Sequence, residues 1–171
     1  MTAARIKRFV FYSVYAILCL AIILLQSTGL MTLNISTASA LLILPLTVYA
    51  GFYFGGISGA VFGLGSGVLL DVYSSTVCYN AVSLTLIGFI CGMLMEYLFN
   101  RNIAAACVLN SASALLYFFV KWLAVYAFID PAPQYILIHF SVPSAVYTAV
   151  CGVLIYFLVC PVLKRMPAIE K

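Results

Sequence analysis

The chain has 171 residues, of which 66% are hydrophobic and 7% charged, with a formal net charge of +4 and a mean hydropathy of +1.21. A soluble domain of this length carries several times more charge, so the composition excludes one. It has room instead for about six apolar runs of roughly 20 residues, each able to cross a bilayer. The expected fold class is an all-α integral membrane protein with about six transmembrane helices in one domain. Lipid covers its outside and helix packing fills its inside.

The expected spans lie near Phe9 to Gly29, Ala38 to Phe54, Ile57 to Leu70, Asn80 to Phe99, Ile103 to Phe128 and Tyr135 to Leu163. The first follows Arg5, Lys7 and Arg8 and reads as a transmembrane helix. Its apolar run is longer than a signal-peptide core, and the small triplet Ala38-Ser39-Ala40 lies well beyond its end. Pro45 interrupts the second span and the third is short for a full crossing, so this pair is expected to be tilted, kinked or partly re-entrant. A count of five, with these two spans as a hairpin, is the alternative. Gly55, Gly56 and Ser58 read as the break between them.

Charge sets the expected orientation. Arg5, Lys7 and Arg8 precede the first span, Lys164, Arg165 and Lys171 follow the last, and Arg101 lies between the fourth and fifth. An even number of crossings puts all of these on one side, which makes both termini cytoplasmic. The opposite side receives Thr32 to Thr37, Ser74 to Tyr79 and Asp130 to Pro133, the last stiffened by Pro131 and Pro133.

Catalytic signals are missing from the pattern. Cys19, Cys91, Cys107, Cys151 and Cys160 fall inside expected spans, leaving Cys78 as the one loop thiol, and His139 has no Cys or His at ligand spacing. No phosphate-binding glycine loop and no nucleophile, base and oxyanion set can be assembled. The chain therefore reads as a non-enzyme without metal, cofactor or nucleic-acid partner. An ion or proton channel would need polar residues lining several helices at mid-depth, and the sequence is read as lacking them.

What stands out is a ladder of glycines at every fourth residue, Gly51, Gly55, Gly59, Gly63 and Gly67, whose next rung is Asp71. Residues four apart share a helix face, so Gly59, Gly63, Gly67 and Asp71 form a stripe without side chains that ends in a carboxylate. A second series, Gly88, Gly92 and Glu96, follows on the next span. These stripes suit close packing, either within this chain or against a partner. The acids and bases within spans must face protein, snorkel or find partners. Depth places Asp71 and Lys121 near the same boundary and suggests an ion pair. The other reading is that Lys121 snorkels to headgroups while Asp71 caps the helix after the turn. Glu96 reads as an interfacial anchor near Arg101.

The segment Gly59-Ala-Val-Phe-Gly63-Leu-Gly65-Ser-Gly67-Val-Leu-Leu-Asp71-Val, followed by Asn80-Ala81 and the run to Gly88 and Gly92, resembles the most recognisable stretch of the rod shape-determining protein MreD family. The basic ends, the Leu42 to Tyr53 run and a last span with Pro143, Tyr147 and Pro161 before Lys164 extend the resemblance over nearly the whole chain. The chain departs from the family pattern in lacking a basic residue at Tyr49 to Gly55 and in carrying Cys78-Tyr79 where a loop glycine is expected. The resemblance implies a noncatalytic subunit of the bacterial cell-wall elongation complex, in the cytoplasmic (inner) membrane. Its expected partners are membrane lipid, MreC, MreB and, through them, RodA and a penicillin-binding transpeptidase.

The alternative is the substrate-binding membrane subunit of an energy-coupling factor vitamin transporter, a class that resembles MreD in fold. Such a subunit needs a polar external pocket, and the outer segments here offer little beyond Asp71, Tyr79, Lys121 and Asp130. Tyr15 to Ala21 is also a poor version of the alanine-rich docking motif of that class.

Overall fold

The computed structural model describes residues 13, 17, 18, 20–22, 24, 40–74, 78–97, 103–126 and 133–164, and nearly all of them are helical. Four helices are long and apolar enough to cross a membrane: Gly56–Ser74, Tyr79–Tyr97, Ile103–Ala124 and Gln134–Phe157. Of the expected first span, Leu18 and Ile22 pack against the core, while Ile17, Leu20 and Leu24 are exposed. That is the four-residue spacing of one buried helix face. The rest of that span lies outside the described residues. So do the side chains that set the expected orientation, Arg5, Lys7, Arg8, Arg101, Lys164, Arg165 and Lys171, and the segments Thr32 to Thr37 and Asp130 to Ala132.

Helix α1 (Ile43–Phe54) is the hub of the bundle. Ile43, Leu44, Leu46, Val48, Tyr49 and Ala50 are wholly buried, so the helix is apolar all round because it is surrounded all round. At 12 residues it is about 18 Å long, short of a hydrocarbon core of roughly 30 Å. Pro45 does not interrupt it. It occupies the third helical position, where a missing N–H costs no intrahelical hydrogen bond. Gly55 ends α1 with φ of 90°, a left-handed backbone that glycine adopts without strain, and its N–H donates to Gly51 O at 2.9 Å. Helix α2 (Gly56–Ser74) follows at once. It runs four residues past the expected Leu70, so Asp71 lies inside its last turn.

Helix α3 (Tyr79–Tyr97) packs against α2 in the most extensive helix contact of the molecule. Helix α4 (Ile103–Lys121) continues as a π-helical turn, Trp122–Tyr126. A short helix α5 (Pro133–Ile136) leads through a second π turn, Leu137–Ser141, into α6 (Val142–Lys164). The wide second turn lies just ahead of Pro143, whose ring would clash with the His139 carbonyl in regular α geometry. Contacts divide the bundle: α1, α2 and α3 form one packed group, α4 pairs with α6, and α1 touches both while α3 and α4 meet sparsely.

Among the described residues, the exposed helix faces are largely apolar and the interior carries polar groups. Val61, Leu64, Leu86, Val108, Leu115, Val146 and Leu154 are exposed, whereas Thr47, Ser66, Asn80, Asn110, Ser113 and Thr148 are buried. An exposed face of this kind is stable against lipid, and the buried hydroxyls are satisfied internally. Thr47 donates to Leu44 O at 2.8 Å, Ser66 to Phe62 O at 2.8 Å and Ser113 to Leu109 O at 2.6 Å. Longer polar contacts fix α6: Tyr49 donates to Gly152 O at 2.7 Å, Asn110 Nδ2 to Ala149 O at 3.1 Å, and Leu41 N to Thr148 Oγ1 at 3.0 Å.

Gly152 makes room for this arrangement, because a Cβ there would lie 2.7 Å from Asn110 Oδ1. Gly152→Ala is expected to destabilise the chain by about 1–3 kcal/mol as Asn110 loses its bond to α6. In an Asn110→Ala background the same change should cost less than about half as much, since the obstructing amide is gone. Thermal unfolding of the four-member mutant cycle in detergent checks the coupling.

Candidate functional site

The residues singled out by the glycine pattern converge on one antiparallel seam between α2 and α3. A Cβ on Gly59 would lie 2.7 Å from Gly51 Cα and 3.0 Å from the Gly88 carbonyl carbon, so α1, α2 and α3 touch backbone to backbone at one point. Further along, a Cβ on Gly63 would sit 2.7 Å from the Leu84 carbonyl carbon, and one on Gly67 would sit 2.7 Å from Ala81 N. Towards the other end, a Cβ on Gly92 would be 2.6 Å from the Gly55 carbonyl carbon. These separations leave no space for any side chain, and they turn two weak small-residue patterns into complementary surfaces. Among the described residues, Gly59, Gly63, Gly67, Gly88 and Gly92 are therefore occupied within the chain. Gly65, between two of them, has nothing within 4 Å and faces outward.

Asp71 closes the seam. Its Oδ1 accepts from Asn80 N at 3.0 Å and its Oδ2 from Ala81 N at 2.8 Å, two of the donors left unpaired at the start of α3. Asp71 is 7% exposed, so these bonds are made largely out of water. An acid in the last turn of its own helix opposes that helix's dipole, and the positive end of α3 compensates it. Of the two readings of Asp71, the structure thus displays the cap, with both carboxylate oxygens accepting from backbone N–H groups.

The cap extends to α4. Tyr117 donates to Asn80 Oδ1, and Tyr79 donates to Tyr117 O at 3.2 Å with the two rings 5.8 Å apart. The turn residue with left-handed backbone is Cys78, at φ of 54°, while Asn80 is helical. The missing loop glycine therefore falls at the one non-glycine position where the described backbone favours glycine. Lys121 is half-buried one turn beyond Tyr117. Glu96 lies at the other end of α3, its Oε1 2.5 Å from where a Gly55 Cβ would stand. It is exposed, and Arg101, its expected neighbour, lies outside the described residues.

Sequence reasoning missed the polar stripe on the buried face of α4. Asn110, Ser113 and Tyr117 are 0%, 6% and 1% exposed, and Cys91 Sγ lies 3.2 Å from Ser113 Oγ. Asn110 Oδ1 is the one buried side-chain polar atom without a hydrogen-bond partner among the described residues. An asparagine in the middle of an apolar run was the available signal. The expectation that polar residues are lacking at mid-depth is corrected here. They are present but spread between helix pairs, and the two open grooves beside α4 are lined almost wholly by apolar side chains.

The site can hold three helices in fixed register and present a rigid apolar surface to the membrane. No group of three or more His, Cys, Asp or Glu side chains able to hold a metal ion occurs among the described residues. Compared with known proteins, the chain matches no family model, no curated protein and no solved structure.

Proposed function

We propose that the chain is a noncatalytic membrane subunit of the bacterial cell-wall elongation complex, which maintains rod shape by holding MreC and the wall synthases together. The observation that carries this reading is the fate of the Gly59 to Gly92 segment, the part most like the MreD family. It folds into one hairpin whose distinctive features are spent on rigidity: glycines on backbone contact and Asp71 on a helix cap. A rigid hairpin with an apolar outer face supports a scaffold better than it supports a chemical step. The partner surface then belongs to residues that the seam leaves outside, such as Val61, Leu64, Gly65 and Val68 on α2. Six crossings, cytoplasmic termini and the bacterial inner membrane are parts of the same proposal.

The test is a mild-detergent pull-down of the tagged chain from its native membranes, with mass spectrometry of proteins and small molecules. MreC and wall synthases are expected, and Leu64→Trp with Val68→Trp is expected to reduce their recovery while leaving the yield of the chain unchanged. A vitamin with paired ATPases in place of MreC would make the chain the substrate-binding subunit of an energy-coupling factor transporter.

A further inference from the structure

The bundle is joined in two different ways. Within α1, α2 and α3 the contacts are backbone on backbone: a Cβ on Gly59 would lie 2.7 Å from Gly51 Cα and 3.0 Å from the Gly88 carbonyl carbon. Contacts of this kind have one register, because no rotamer change accommodates a shift. Between this group and the pair of α4 and α6, side chains make the junction. Tyr49 of α1 donates to Gly152 O of α6, and Leu41 N, just ahead of α1, donates to Thr148 Oγ1. Hydroxyls on rotatable side chains can follow a displaced partner, and packed helices that slide past one another need contacts of that sort.

The boundary between α3 and α4 is the loosest part of this junction. The two helices are consecutive in the chain yet meet sparsely. Two polar ties bridge them. At one end Tyr117 and the start of α3 exchange hydrogen bonds in both directions: the Tyr117 hydroxyl donates to Asn80 Oδ1, and the Tyr79 hydroxyl donates to Tyr117 O at 3.2 Å. Further along, Cys91 Sγ lies 3.2 Å from Ser113 Oγ. Around this second tie, an apolar groove of about 200 Å³ runs between Ile87, Ile90 and Leu94 of α3 and Leu109, Ala112 and Leu116 of α4. Sparse packing beside a groove marks a boundary that opens at low free energy.

We propose that α4 and α6 shift as one unit against α1, α2 and α3, widening and closing the groove between α3 and α4, with the Tyr117 exchange as the latch that favours the closed arrangement. Asn80 belongs to the latch and to the Asp71 cap at once, because its N–H donates to Asp71 Oδ1 while its side chain accepts from Tyr117. The latch therefore acts at the end of the hairpin where α3 is anchored. The movement does not depend on the proposed role in wall elongation.

Double electron–electron resonance on the full chain in lipid nanodiscs reads the movement, with a genetically encoded spin-labelled residue replacing exposed positions in pairs so that the six cysteines stay in place. Ile90 with Leu116 spans the groove, Val61 with Leu86 lies within α2 and α3, and Leu115 with Val146 lies within α4 and α6. The groove pair is expected to give two distances and each reference pair one. Tyr117→Phe, which removes one hydrogen bond of the latch, should raise the ratio of the longer to the shorter groove distance about fivefold and leave both reference pairs unchanged. Ser113→Cys, oxidised with diamide to a disulfide with Cys91, should leave only the shorter distance. A single groove distance as narrow as the reference pairs, a ratio unmoved by Tyr117→Phe, or broadening of all three pairs alike would each overturn the proposal.

Discussion

Gly63→Leu and Gly88→Leu are each expected to destabilise the folded chain severely, whereas Gly65→Leu is expected to leave it as stable as before. At Gly63 and Gly88 the atoms that a side chain would meet are backbone: the Leu84 carbonyl and Thr85 Cα for the first, the Gly59 carbonyl for the second. No rotamer change relieves such a contact, so the helices must separate and the α2–α3 contact is lost along several turns. Overpacking of side-chain cores costs typically 1–3 kcal/mol, and backbone-on-backbone overlap should cost about 3 kcal/mol or more. Gly65 has open space beside it, and its substitution should stay within about 0.5 kcal/mol. Accumulation in membranes and the midpoint of thermal unfolding in detergent give the comparison. A Gly63→Leu chain as stable as Gly65→Leu would show that the seam is not the packed element described here.

Asp71→Ala is expected to produce the second large effect, a loss of about 3 kcal/mol. Two charge-assisted hydrogen bonds disappear, and the N–H groups of Asn80 and Ala81 are left buried without those acceptors. Asp71→Asn keeps one carbonyl oxygen as acceptor and should lose about half as much. This graded pair separates folding from function. On the proposed role in wall elongation, an Asp71→Asn chain that folds at near-normal yield and supports rod shape would make the carboxylate a cap and nothing more. One that folds normally and fails to support rod shape would give the charge itself a part in that proposed role. Asp71→Ala matching the unaltered chain in stability would remove the cap from the account of the hairpin.

These two predictions also change what a test of partner binding must look like. Bulky residues at Gly63 and Gly67 break the chain's own packing, so lost partner recovery in such a variant would report misfolding. Substitutions on the outward face of α2 leave the seam intact and test the surface alone.

Composition and run length determined the broad class: a chain 7% charged and 66% hydrophobic, with apolar runs of about 20 residues, suits helices that satisfy their own backbone groups in lipid. Local chemistry also placed the break at Gly55 and singled out Gly59, Gly63, Gly67, Asp71, Gly88 and Gly92, since small residues at four-residue spacing and an intramembrane acid have few uses. The sequence left open which surface each glycine meets, because a stripe looks the same whether its partner is in the same chain or another. Only the tertiary structure paired Gly59 with Gly51 and Gly88, and brought Asp71 to the N–H groups of residues nine and ten positions away. It also made the short, Pro45-containing segment the buried hub. Burial on all sides is a property of the neighbours, and a run of apolar residues reads alike whether lipid or protein surrounds it.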